Sequence, residues 1–213
     1  MQRKILVLTG FATLMLAGCA KDGDFDSSGG IAVTRSACPA VAVPVYTGDV
    51  TLFDPPSSRE AAAIDVVAAI TNVRSSCNEK GSDIVADARF DVVATRRSGA
   101  GARRLELPYF ATVVQGGRVV VSKRLGTVVV NFADGQTRAE AKGAATSHVN
   151  RAAATLPADV EKRLTRKRKA GDEDAALDPL ADPEVRAAVQ KASFELLIGF
   201  QLNEAQLQYN ATR

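Results

Sequence analysis

Asp83-Ile84-Val85-Ala86-Asp87-Ala88-Arg89-Phe90-Asp91-Val92-Val93-Ala94-Thr95-Arg96 alternates apolar and polar residues. Ile84, Ala86, Ala88, Phe90, Val92 and Ala94 fall on one side, while Asp83, Asp87, Arg89, Asp91 and Thr95 fall on the other. Successive side chains of a strand point to opposite faces, so the stretch predicts a half-buried strand with its apolar side on a core.

The chain on either side repeats the pattern. Downstream, the Gly-rich segment Arg96–Arg104 reads as a loop, and Leu105, Leu107, Tyr109, Ala111 and Val113 alternate along a second strand. Gln115-Gly116-Gly117-Arg118 is a hairpin signal, because glycine tolerates positive φ at both central positions. Val119 to Lys123 and Thr127 to Phe132 read as two strands, or one strand bent at Gly126. Ala133-Asp134-Gly135-Gln136 is a second hairpin signal, with a returning strand from Thr137 to Thr146 that sets Ala139, Ala141, Gly143 and Ala145 on one face. Upstream, Thr47 to Phe53 is a short strand stopped by Pro55-Pro56. Residues 64–76 carry Val66, Ala68 and Ile70 on one face and Val67, Ala69 and Val73 on the other, which suits a central strand. About six or seven short antiparallel strands at this spacing predict a mainly β chain, an immunoglobulin-like sandwich. The chain has no Trp, so the Cys–Trp–Cys hallmark is missing and the topology stays open.

The last third changes character. Leu156 to Lys169 reads as a polar, basic helix, broken at Gly171-Asp172-Glu173-Asp174. Asp182 is a candidate N-cap followed by Pro183 and Glu184, and Val185, Val189, Ala192 and Leu196 recur at helical spacing. Phe194, Leu197, Ile198 and Phe200 widen the apolar surface of that expected last helix, whose preferred reading is packing on the sandwich. Asn203 is placed to cap one more turn, through Leu207. The expected organisation is a leader over 1–18, a tether over 19–37, a sandwich over 38–150 and a helical segment over 151–213 packed on it.

The N-terminus carries a different signal. Arg3 and Lys4 precede the apolar run Ile5 to Leu16, which is shorter than the ~20 residues of a membrane span. Leu16-Ala17-Gly18-Cys19 resembles the lipobox of bacterial lipoproteins. The resemblance covers the leader and Cys19, and implies cleavage before Cys19, lipid on its thiol and acylation of the new amine, hence stable anchoring to a membrane. In the enterobacterial version of the family, Asp after the cysteine favours the inner membrane. Ala20 and Lys21 follow here, which implies the periplasmic face of the outer membrane, with the inner membrane as the alternative. Residues 20–37 are rich in Gly, Ser and Asp and have a root-mean-square reach of about 25 Å as a flexible tether.

An exported protein meets an oxidising compartment, and Cys38 and Cys77 remain as an even pair once Cys19 is lipidated. They are expected to form one structural disulfide rather than a redox or metal pair, since there is no CxxC. The single histidine, His148, stands beside Ser147, but no G-x-S-x-G turn accompanies it, and a surface role is the expectation. Asp83, Asp87 and Asp91 share a strand face about 13 Å apart, too far for a paired acid and base and more in keeping with a solvated surface than with a calcium site. Neither a metal nor a cofactor is expected.

The formal charge of +3 is too modest to argue for nucleic acid, which an exported protein would not ordinarily meet, so no nucleic-acid partner is expected. The densest charge run holds Lys162, Arg163, Arg166, Lys167, Arg168 and Lys169. It reads as a solvated helix face offset by the acidic loop after it, or as a contact for anionic head groups or an acidic partner. The expected function is that of a non-enzymatic, lipid-anchored envelope accessory, structural or assembly-related, working against a protein partner. The alternative is a module binding a lipid or other amphiphile between the sheet and the last helix.

Overall fold

The computed structural model describes residues 36–166 and 177–213. The leader, Cys19, nearly all of the tether, and Lys167, Arg168 and Lys169 lie outside the described residues.

The chain is mainly β, with two antiparallel-rich sheets and helices toward the C-terminus. Its strands are β1 (Ala40–Ala42), β2 (Asp49–Phe53), β3 (Ile64–Asn78), β4 (Asp83–Arg96), β5 (Arg103–Gln115), β6 (Val119–Phe132), β7 (Arg138–Asn150) and β8 (Phe194–Phe200). One sheet has the order β2-β3-β4-β7 and is wholly antiparallel. The other has the order β1-β8-β5-β6, with β1 parallel to β8 and the remaining pairs antiparallel. Both sheets contribute to a single core, from Ile84, Phe90 and Val92 on β4 to Leu107 on β5, Val130 and Phe132 on β6, and Ile198 and Phe200 on β8.

The period-two reading of β4 holds along its whole length. Ile84, Ala86, Ala88, Phe90, Val92 and Ala94 are all buried, and Asp83, Asp87, Arg89 and Thr95 are exposed. The Gly116-Gly117 turn has positive φ at both glycines (61° and 70°). Between the two alternatives for residues 119–132, β6 is one strand. At Gly126, the ring of Tyr109 occupies the space a side chain would take.

Three expectations are corrected. Alternation puts Val73 on the face opposite Ile70, yet both pack against the core. The pairing of β3 with β4 shifts between Thr71 and Arg74, where Asn72 takes a φ of 50°, and a bulge of this kind turns the following side chain over. The turn at Ala133–Gln136 does form, with Gln136 N–H donating to Ala133 O, but it joins strands of opposite sheets. β7 pairs with β4 from Thr95↔Arg138 to Asp83↔Asn150 instead of returning along β6.

The third correction is the largest. Phe194–Phe200 is not helical: it is β8, hydrogen-bonded on both sides, between β1 and β5. A seven-residue run in which Phe194, Leu196, Ile198 and Phe200 are buried and Glu195 and Leu197 are half-buried between them has the period of a strand, and a helix stop precedes it. That stop is at Ala192 and Ser193, where Ala192 N–H closes on Ala188 O and the chain leaves the helix. Gly199 lets the chain lie close beneath Thr47 and Phe110, since a Cβ there would come within 2.3 Å of Thr47 Oγ1. The sandwich therefore takes a strand from beyond residue 150.

The helices are α1 (Arg151–Ala154), α2 (Ala158–Thr165), α3 (Pro183–Lys191) and α4 (Glu204–Thr212). α2 is shorter than the expected Leu156–Lys169, and Arg166 is its C-cap. α3 starts as expected: the Asp182 carboxylate accepts from the backbone N–H groups of Glu184 and Val185, with Pro183 in the first turn. α4 begins in a reciprocal capping box between Asn203 and Gln206 and runs past the expected Leu207. No helix of the described residues is long and apolar enough to cross a membrane.

Candidate contact surfaces

Cys38 and Cys77 are joined as a disulfide with their Cα atoms 6.1 Å apart. The bridge ties the approach to β1, in one sheet, to the far end of β3, in the other. Glu79 lies beside it and accepts a hydrogen bond from Ser36 Oγ at 2.9 Å. Cys38, Cys77 and Glu79 come close enough together to suggest a metal, but the sulfurs are already bonded to each other.

The residues weighed for catalysis are held apart. Ser147 is buried, its Oγ directed to Ala86 O, whereas the adjacent His148 projects from the exposed face of β7. Neighbours on a strand point to opposite faces, so the two side chains do not meet. Asp87 accepts from Thr146 Oγ1, and Asp91 accepts from Asn72 Nδ2 and pairs with Arg74 at 3.3 Å. These carboxylates are tied to separate partners around a shallow depression of about 650 Å³, which Arg74, Arg89 and Lys142 also line.

The basic run is partly spoken for. Arg163 pairs with Asp182 and approaches Glu184 at 3.9 Å, which links α2 to the start of α3. The backbone N–H of Glu184 first, then the Arg163 guanidinium, and less the N–H of Val185, hold the Asp182 carboxyl below its ordinary range. Lys162 is exposed on α2, and Arg166 is exposed just past its end.

A cleft of about 270 Å³ lies between β2 and α4. Phe53 and Tyr209 meet edge to face in its wall at 5.1 Å, and the Arg59 guanidinium lies 5.2 Å from the Phe53 ring centre. At the cleft margin, Arg103 forms a two-pronged pair with Asp65, and that hydrogen bond raises the guanidinium pKa further.

One surface gave no warning in the sequence beyond a run of valines. β6 is the edge of its sheet, and between Val119 and Leu125 every residue is exposed. Val119, Val120 and Val121 are 59%, 61% and 53% exposed, and Leu125 is 66% exposed. Valines belong on buried sheet faces, and here they crowd an edge with open backbone groups. Lys123 stands over the ring of Phe110 at 5.5 Å on the outward side. The available signal was that the hydrophobic alternation of β6 begins only at Val128.

Comparison of the chain with protein-family models, with curated proteins and with solved structures finds no match.

Proposed function

We propose that this chain is a bacterial envelope lipoprotein, anchored through lipid on Cys19, that acts by protein contact as a structural or assembly accessory and performs no catalysis of its own. The observation that carries the reading is the exposed apolar edge of β6, where Val119–Val121 and Leu125 are exposed close together on one strand. Exposed apolar rows of this kind mark contact sites. The Cys38–Cys77 bridge suits an oxidising compartment. The lipobox-like Leu16-Ala17-Gly18-Cys19 supports the anchor, and Ala20 and Lys21 support the periplasmic face of the outer membrane. Lys162, Arg163, Arg166, Lys167, Arg168 and Lys169 form a second contact region for an anionic surface or an acidic partner, in which Arg163 also pairs with Asp182. On this reading the body is an immunoglobulin-like sandwich, which two antiparallel-rich sheets sharing one core support.

Fractionation of cells carrying Cys19→Ser tests the anchor. The protein is expected in the soluble periplasmic fraction, and retention in membranes overturns the location. Crosslinking in intact cells tests the contact role, which falls if the wild-type protein yields no crosslinked protein species.

A second reading rests on the β2–α4 cleft. Its Phe53–Tyr209 wall and the Arg59 guanidinium suit a small amphiphile with an anionic head. Native mass spectrometry of purified protein titrated with a short-chain fatty acid checks it: a bound mass lost in Arg59→Ala supports this version, and no bound mass ends it.

A further inference from the structure

The β6 edge carries more than apolar side chains. Arg118, Lys123 and Arg124 are exposed around the valines, and none of the three forms an ion pair among the described residues. The stretch Arg118-Val119-Val120-Val121-Ser122-Lys123-Arg124-Leu125 contains no acid, and neither do the β5 residues opposite it, Phe110 to Gln115. Among the described residues, no hydrogen bond reaches the outer edge of β6 between Val119 and Leu125. That edge therefore presents three things together: unpaired backbone donors and acceptors, apolar side chains on both faces, and uncompensated positive charge.

Resting on the contact role above, we infer that β6 from Arg118 to Leu125 receives an added extended strand from an acidic partner polypeptide. Backbone pairing along an open edge supplies affinity, and alternate side chains supply specificity. The charge selects the partner. A second copy pairing edge to edge would set Lys123 and Arg124 against a strand bearing the same cations, and like charges opposite one another destabilise a sheet. A lipid surface would neutralise the cations, but it would bury unpaired backbone groups in a medium that cannot satisfy them, and it would reach only one face. Val120 lies opposite Val114 and Ser122 opposite Val113, so Val121 is an extra residue, a bulge in the edge. Bulges and lysines on edges discourage indiscriminate pairing, and together they reject apolar or basic strands while leaving an acidic one acceptable.

The test titrates the purified Cys19→Ser chain, which can carry no lipid, with a short capped peptide of alternating Glu and Val, its Lys–Val counterpart, and vesicles of phosphatidylglycerol and phosphatidylethanolamine. Backbone amide shifts and hydrogen exchange are read at residues 119–125. The Glu–Val peptide is expected to shift and protect those amides, whereas the Lys–Val peptide and the vesicles leave them unchanged. Lys123→Glu with Arg124→Glu is expected to weaken the acidic peptide by about tenfold or more and to admit the basic one. No effect of the Glu–Val peptide at these amides, equal binding of both peptides, or perturbation by vesicles overturns the proposal. So does concentration-dependent protection without peptide, which would identify a second copy as the occupant. The titration uses no membrane anchor, so its outcome is independent of the Cys19→Ser fractionation.

Discussion

The ring of Phe90 lies against the backbone of Gly143 on the adjoining strand, so close that a Cβ on Gly143 would sit 2.2 Å from Phe90 Cζ. Phe90 meets Tyr109 edge to face at 5.2 Å, and the Tyr109 ring covers Gly126 while its hydroxyl donates to Ala144 O. Two aromatic rings thus fill what two glycines leave open on β7 and β6. Gly143→Ala should overpack this site and lower stability by about 1–3 kcal/mol in urea unfolding. Adding Phe90→Leu should recover part of that loss, because the two changes share one space. Equal stability of Gly143→Ala and wild type would show that the ring has room to move.

Arg96 supports the turn that switches sheets. It is 4% exposed, stacks 5.0 Å from the Phe132 ring, and donates to Gln136 O through Nε and to Gly99 O, Gly101 O and Ala133 O through Nη2. Both loops at that end of the sandwich depend on one guanidinium. Arg96→Lys keeps the charge but cannot span the carbonyls, and should cost about 2–4 kcal/mol. Hydrogen exchange should quicken at residues 97–102 and 133–136 in that variant. Unaltered exchange there would mean the turn is held by other contacts.

Arg96 also shows where the sequence is legible and where it is not. Counting by twos from Ile84 reaches Ala94 and then Arg96, so the inward position of that arginine follows from the pattern, although its polarity suggests a loop. β3, β4, β5 and the Gly116-Gly117 turn follow from local rules in the same way. β8 does not, because Val185, Val189, Ala192 and Leu196 keep helical spacing across the true boundary at Ala192 and Ser193. A short run such as Phe194–Phe200 fits either element by pattern alone, and its pairing with β1 and β5 decides. The β6 edge is only partly legible for another reason: the alternation starts late, at Val128, but exposure depends on which strand ends a sheet, and that is a property of topology.

The disulfide closes a long loop between Cys38 and Cys77, separated by 39 positions. In the chain-entropy model such a loop is worth about 4 kcal/mol. Cys38→Ser with Cys77→Ser should lower the urea midpoint accordingly, and reduction of the wild type should match it. A double variant as stable as the oxidised protein would assign the bridge no role in holding the two sheets together.

Asp182 joins α2 to α3 through Arg163 and caps α3 at Glu184 and Val185. Its carboxyl is held below the ordinary range in the folded chain, so its contribution is present above the unfolded carboxyl pKa and is lost as pH falls through the lower folded value. Amide exchange along Val185 to Lys191 should therefore rise in acid before the β core loosens. Asp182→Asn, which still caps but carries no charge, should flatten that dependence. An identical acid profile in the Asn variant would place the titrating group elsewhere.

Lys123 and Arg124 have a second expected effect, on association between copies of the chain itself. The valines before them form an exposed, β-prone run on an open edge, and such runs recruit copies of themselves unless charge interrupts them. Replacing both cations with threonine keeps β propensity and solubility of the side chains but removes the repulsion between approaching edges. Lys123→Thr with Arg124→Thr should fold with the same core and unfold at nearly the same urea concentration, since neither side chain is buried. Its light scattering should nevertheless grow with protein concentration and with time, while the wild type stays constant. Adding Val120→Lys to that variant restores a charge on the same edge and should suppress the growth. If the threonine variant stays as dispersed as the wild type, the bulge at Val121 alone guards the edge, and the two cations are left to the partner strand.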